Sequence, residues 1–222
     1  MDVFPDFDEV YRGRPLQPGL TQVPWDIGEP QPLVVALEAT GEIRGDVLDA
    51  GCGLGENTMF LAARGYRVTG IDGAPTAIER ASAAARERGL AAEFEVRDVT
   101  RLEGLDGRFD TVVDSALYHC LDDEQQHAYV AGLHRACRPG ATVHVFARSE
   151  ELGEVPGPRT ISESNLRTTF GEGWEITRLR HAQYTTAITS AVFDGTPLPG
   201  SLPVDEQGRY LMQVWQLAAV RR

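Results

Sequence analysis

The residues best suited to chemistry lie between positions 47 and 72, where Val47-Leu48-Asp49-Ala50 runs into Gly51-Cys52-Gly53-Leu54-Gly55 and a second acid, Asp72, follows. Glycines at such a turn let the backbone bend sharply and let a ligand approach amide groups that a Cβ would shield. A GxGxG turn by itself suits nicotinamide and flavin folds as well. Asp49, immediately before the turn, suits a ligand carrying an ammonium group, whereas a pyrophosphate is served by amides and a helix N-terminus. Asp72, at the end of the next predicted strand, can accept from both hydroxyls of a ribose. Read singly, Gly51, Gly53 and Gly55 are equally packing glycines, and Asp72 equally a strand-end cap. Jointly, with a strand before and a helix after each, they describe a nucleoside-binding crevice.

Such a crevice needs strand, tight turn and helix in that order, and the flanking pattern supplies them. The apolar run 46–50 precedes a helix over 56–63 closed at Gly65. A second strand at 68–71 leads to Pro75, well placed at a first helical position, and to an alanine-rich helix that ends at Gly89. Strands follow at 94–96, 109–114 and 142–146, the middle one continuously apolar at its centre, as a buried parallel strand is. Asp123 and Gln126 have capping-box spacing, and Val130, Leu133 and Cys137 then share a helical face that Pro139-Gly140 ends. Ser162 caps a further helix to about Phe170, with Ile161 and Leu166 as its hydrophobic staple. The stretches 174–184 and 210–220 read as successive strands without a helix between them, hence an antiparallel pair at one edge, joined through the loop 195–208. The predicted fold class is α/β: one Rossmann-like, doubly wound, mostly parallel sheet with helices on both faces, in a single domain over 1–222. Prolines 5, 15, 18, 24, 30 and 32 make the start an irregular arm, and a helix opening at 33–37 is capped by Gly41; residues 1–40 are expected to form a lid over the site.

Composition narrows the chemistry further. The net charge of −12 repels a phosphate backbone, so a nucleic-acid partner is not expected. No lysine occurs anywhere, which removes a Walker A lysine, a Schiff-base lysine and the lysine of a Tyr-xxx-Lys dehydrogenase site. Cys52, Cys120 and Cys137 form neither a CxxC pair nor an even set, as expected of free thiols in a reducing compartment. No run is apolar enough for a membrane span, and the acidic opening residues lack a signal-peptide pattern, so a cytoplasmic protein is expected.

The stretch Leu48-Asp49-Ala50-Gly51-Cys52-Gly53-Leu54-Gly55 resembles the first motif of class I S-adenosylmethionine-dependent methyltransferases, and Gly70-Ile71-Asp72-Gly73-Ala74 is similar to their second. The resemblance spans about residues 46–146 and includes Arg138-Pro139-Gly140 before the fifth strand. It implies S-adenosylmethionine as cofactor and S-adenosylhomocysteine as product, with Asp72 and Gly73 at the ribose, Asp98 and Val99 at the adenine edge, and Ser115 beside the methionine end. The segment Val23-Pro24-Trp25-Asp26-Ile27-Gly28-Glu29-Pro30-Gln31-Pro32 is similar to the Pro-Trp-Asp-x-Gly segment of thiopurine and halide/thiol methyltransferases and of actinobacterial enzymes that methylate heterocyclic toxins. In that group the arm closes over the cofactor, which implies a lid contact for Trp25; a plain packing role is the alternative.

The acceptor is expected to meet the sulfonium at the tip of the fourth strand, Asp114-Ser115-Ala116-Leu117-Tyr118-His119-Cys120. That tip lacks the Asn-Pro-Pro-Tyr associated with amino-methylation of adenine or glutamine, and the chain lacks a Pro-Cys pair of the cytosine C5 type, so those acceptors are not expected. No metal is expected, because Phe146-Ala147-Arg148 offers no carboxylate after the fifth strand. Methyl transfer needs alignment above all, and a hydroxyl acceptor also needs its proton removed. His119 is the candidate base and Tyr118 the candidate aromatic contact; capping of the next helix and core packing are their respective alternatives. The expected activity is methylation of a small molecule, an aromatic or heterocyclic hydroxyl, with thiol methylation or a non-catalytic cofactor-binding module as alternatives. Oligomeric state leaves no mark in the sequence.

Overall fold

The computed structural model describes residues 6–16, 23–152, 158–190 and 202–222; Pro5, Pro18 and residues 195–201 of the predicted loop lie outside the described residues. Seven strands, β1 (Asp46–Ala50), β2 (Arg67–Asp72), β3 (Glu93–Val96), β4 (Phe109–Ser115), β5 (Cys137–Arg148), β6 (Trp174–Thr189) and β7 (Arg209–Arg221), form one sheet in the order β3-β2-β1-β4-β5-β7-β6. The first five pair in parallel, and β7 runs antiparallel between β5 and β6. The doubly wound sheet with an antiparallel edge pair is therefore as expected.

Alternation along the central strands explains the layers. Val47, Val68 and Val113 pack with Val34 and Leu37 of helix α2 (Pro32–Ala39) and Leu61 of α3 (Glu56–Ala63). Leu48, Val112, Val143 and Val145 pack with Tyr129 and Leu133 of α5 (Asp123–Ala136) and Leu166 and Phe170 at α6 (Glu163–Thr169). Neighbouring residues of one strand thus feed opposite cores, so both faces must be covered by helices. Chain direction across the sheet reverses between β1 and β4, and a crevice opens there at the strands' carboxyl ends.

Two boundaries differ from the sequence reading. Asp122, not Asp123, caps α5, in a capping box with Gln125. Gln126 is instead fully buried, its amide donating to the carbonyls of Tyr118 (3.3 Å) and Leu121 (3.0 Å). The fifth strand begins at Cys137, ahead of Pro139-Gly140, because Cys137 pairs with Phe109 and a register shift before Thr111 absorbs the turn residues.

The arm is held at several points. In α1 (Phe7–Tyr11), Asp8 accepts the Thr76 amide at 2.7 Å, and Arg80 donates to the Tyr11 carbonyl at 3.1 Å, against α4 (Pro75–Glu87). Farther along, the Ala187 amide donates to the Pro24 carbonyl (2.7 Å), and Arg209 pairs with Glu29 (2.6 Å). Among the described residues no helix is long and apolar enough to cross a membrane.

Candidate active site

The glycine turn is shaped by neighbours that leave no room for side chains. Gly51 and Cys52 donate to the Ile71 carbonyl at 2.8 and 2.9 Å, with Gly51, Gly53 and Gly55 at φ of 69°, 52° and 79°. A Cβ on Gly51 would stand 2.8 Å from Leu117 Cβ, one on Gly53 2.6 Å from the Tyr11 hydroxyl, and one on Gly55 2.7 Å from the Phe94 ring. Gly55 is thus required by helix-to-sheet packing, whereas Gly51 and Gly53 are required by the walls of the crevice.

Asp72 closes the turn from β2. Its Oδ2 accepts the Gly53 amide at 2.9 Å and its Oδ1 the Ala74 amide at 2.8 Å. Burial pushes its pKa up, opposed by the amides of Ala74, Gly53 and Gly73. Each oxygen keeps a lone pair for a hydroxyl donor. Asp49 sits otherwise: it is 1% exposed beneath the turn, and its Oδ2 accepts the Thr58 hydroxyl at 2.6 Å. Its Oδ1 has no partner, and burial, reinforced by Asp72 and opposed by Thr58, raises its pKa to about 6.

A cavity of about 510 Å³ runs along the crevice, and Asp72, Gly73, Asp98, Val99, Ser115 and Trp25 all line it. A second, of about 50 Å³, lies against the glycine turn and the start of α3, lined by Gly53, Gly55, Asn57, Gln31 and Tyr184. Tyr11, Trp25, Gly51 and Ser115 border both. The Trp25 indole donates to the Tyr11 hydroxyl at 3.0 Å, and Phe7 meets the indole edge-on at 5.6 Å, so three arm aromatics roof the crevice. Asp98 is exposed, with one oxygen accepting from the amide (2.9 Å) and hydroxyl (2.7 Å) of Thr100.

The tip of β4 departs from expectation. Ala116 has φ 78°, a left-handed conformation that costs a residue with a Cβ about 1–3 kcal/mol unless its surroundings enforce it. Enforcement comes from its amide, which donates to the Phe146 carbonyl at 3.1 Å, and from Asp114, whose Oδ1 accepts the amides of Leu117 (3.0 Å) and Tyr118 (3.1 Å). The resulting turn points Leu117, Cys120 and Leu121 at the cavity and carries Tyr118 and His119 away from it. Tyr118 is fully buried and donates to Asn165 Oδ1 at 2.9 Å. His119 is 4% exposed, and its Nδ1 accepts the Arg148 amide at 3.2 Å. Burial, then Arg148, lowers its pKa to about 3. The nitrogen that could take a proton is already occupied, so the structure reassigns His119 from base to strand anchor and Tyr118 from substrate contact to core.

Sequence reasoning passed over Gln31, Leu117, Cys120 and Tyr184 as site residues. Gln31 stands in the arm segment 23–32, and Leu117 and Cys120 stand in the strand tip 114–120, where only the sense of the Ala116 bend separates these two from their neighbours. Tyr184, whose hydroxyl lies 3.2 Å from Ser115 Oγ, comes from a distant strand that carries no local signal. Among the described residues no cluster of His, Cys, Asp or Glu could hold a metal ion.

The family model for a methyltransferase domain matches residues 47–140, the stretch that contains the turn, Asp72 and β4. The 2-heptyl-1-hydroxyquinolin-4(1H)-one methyltransferase of Mycobacteroides abscessus is 40% identical over 173 residues, covering 77% of this chain and 76% of its own length. A solved structure described as "Conversion of a Disulfide Bond into a Thioacetal Group during Echinomycin Biosynthesis" superposes with a TM-score of 0.82 at 39% identity, over 99% of this chain and 93% of that one. The magnesium protoporphyrin IX methyltransferase of Synechocystis PCC 6803, solved with S-adenosylhomocysteine bound, shares the fold at a TM-score of 0.61 and 23% identity, over 86% of this chain and 80% of that one. The chain belongs to the S-adenosylmethionine-dependent methyltransferases of the class I fold.

Proposed function

We propose that this enzyme methylates an already acidic hydroxyl on a small aromatic heterocycle. One observation carries the reading: at the β4 tip the cavity is lined by Ala116, Leu117, Cys120 and Leu121, while the nearby imidazole has its lone pair engaged. A wall of that kind favours a flat apolar ring and leaves the acceptor to ionise by itself. Burial also raises the Cys120 thiol to about 12, which removes it as a base near neutrality.

The residues present fit the cofactor. Asp72 offers two carboxylate oxygens to the ribose, Asp98 and Val99 face the adenine region, the bare backbone of Gly51, Gly53 and Gly73 admits close approach, and Ser115 and Trp25 flank the crevice. When bound, S-adenosylmethionine would supply an activated sulfonium methyl, with S-adenosylhomocysteine as the leaving group opposite an in-line nucleophile. The chain's part is alignment and exclusion of water by the Phe7, Tyr11 and Trp25 roof, for which effective molarities are large. Residues 1–222 act as one unit in this reading, with 1–40 as the lid. The net charge of −12 supports a small acceptor over nucleic acid, and the free thiols of Cys52, Cys120 and Cys137 suit the cytoplasm.

The test is a turnover screen that follows S-adenosylhomocysteine with 1-hydroxyquinolin-4-ones, quinolinols, simple phenols and aryl thiols. Turnover ranked by acceptor acidity supports the proposal; equal turnover of weakly acidic phenols at neutral pH overturns it. The 39% identical relative named for disulfide-to-thioacetal conversion favours methylation at sulfur as a second reading, since a sulfur nucleophile such as a thiolate also needs no base. Turnover confined to the thiols would select it.

A further inference from the structure

Gln31 joins three parts of the fold through its backbone and side chain. Its amide N–H donates to Asn57 Oδ1 at 2.9 Å in the first turn of α3, and its side-chain Nε2 donates to the Thr185 carbonyl at 2.9 Å in β6. A carbonyl can only accept, so the Thr185 contact decides which end of the amide is nitrogen. Gln31 Oε1 is therefore a fixed acceptor, and it has no partner although Gln31 is only 3% exposed. A buried amide oxygen left so costs about 1–3 kcal/mol, which a donor arriving with a ligand recovers.

Gln31 lines the smaller cavity, whose floor is Gly53, Gly55, Glu56 and Asn57 at the start of the eight-residue α3. Backbone amides and the dipole at a helix start favour a carboxylate. At about 50 Å³ this space takes a small polar head group and excludes an aromatic ring. It meets the large cavity at Gly51 and Ser115, beneath the hydrogen-bonded Trp25 and Tyr11. Asp49 does not line it: its Oδ2 accepts the Thr58 hydroxyl, and its Oδ1, also without a partner, is buried beneath the turn.

We infer that Gln31 binds the α-ammonium of the cofactor's amino-acid end, whose carboxylate lies at the start of α3, and that Asp49 does not perform this task. The inference rests on the cofactor crevice described above and adds the group that distinguishes the whole cofactor from its nucleoside portion.

Calorimetry with ligands trimmed at that end tests it, the two thioethers being compared with each other and the decarboxylated cofactor, a sulfonium, only between native and variant protein. 5′-Methylthioadenosine keeps the nucleoside thioether and lacks the amino acid; decarboxylated S-adenosylmethionine keeps the ammonium and lacks the carboxylate. In the native protein S-adenosylhomocysteine should bind at least tenfold more tightly than methylthioadenosine. Gln31→Leu should weaken S-adenosylhomocysteine and the decarboxylated cofactor about tenfold and leave methylthioadenosine within twofold. Equal losses for all three ligands, or none, overturn the inference. If Gln31→Leu fails to fold, the native ligand series still decides, because equal affinity for S-adenosylhomocysteine and methylthioadenosine also overturns it. Failure of all three to bind the native protein would instead sink the crevice assignment itself.

Discussion

The tips of β2 and β4 both carry an aspartate, and the two do opposite jobs. Asp72 stands on the cavity wall, its two oxygens bound to separate amides and still open to donors from outside. Asp114 is wholly buried, with one oxygen spent on the turn that follows and the other facing the Tyr129 hydroxyl without a well-formed hydrogen bond. Burial outweighs its two amide partners and raises its pKa to about 7. The lesson is that a strand-end acid reads as a ligand group only when the following turn leaves it facing the crevice. At β4 the turn folds back over its own acid, and the acid becomes part of the scaffold.

The contrast breaks first on stability. Asp114→Ala strands the amides of Leu117 and Tyr118, at about 1–3 kcal/mol each. We expect a loss of about 3 kcal/mol, seen as a melting point lower by roughly 6–12 °C; a change under ~2 °C would mean that the turn holds without it. Asp72→Ala should instead act on binding, weakening S-adenosylmethionine about a hundredfold by calorimetry, or about 2.7 kcal/mol. Unchanged affinity there would erase the distinction between the two acids.

A smaller effect concerns pH. The folded protein holds the Asp114 proton up to about 7, whereas the unfolded chain releases it near the ordinary 3.8. Its stabilising contribution is therefore present at low pH and lost as pH rises through that interval. Without cofactor, stability should fall by on the order of 2 kcal/mol between about pH 5 and pH 8, with Asp49 contributing in the same direction, and the slope should flatten in Asp114→Asn. An equally steep slope in the variant would assign the proton elsewhere. Smallest of all, His119→Gln should leave kcat/KM within about twofold, with no ionisation near 6.5 removed from its pH profile. A large loss coupled to such an ionisation would return the imidazole to the chemistry.

Legibility in the sequence followed the same divide. The β1 turn and Asp72 were readable because a strand, three glycines and a helix fix their geometry within a short stretch of chain. Asp122 and Asp123 each precede a glutamine at capping-box distance, and only the need for Gln126 inside, beneath Tyr118 and Leu121, selects the first. The β4 tip was not readable, because an alanine at positive φ carries no residue signature and its sense decides which of Leu117, Tyr118, His119 and Cys120 meets the cavity. Gln31 eluded the same approach since its partners, Asn57 and Thr185, come from distant parts of the chain.

The fastening of the arm reaches beyond the crevice. Pro24, Glu29 and Gln31 grip Ala187, Arg209 and Thr185, so opposite extremes of the polypeptide meet at a single roof. Whatever occupies the space below must secure both extremes together, and a protease should find the front segment and the closing hairpin shielded in step as cofactor is added.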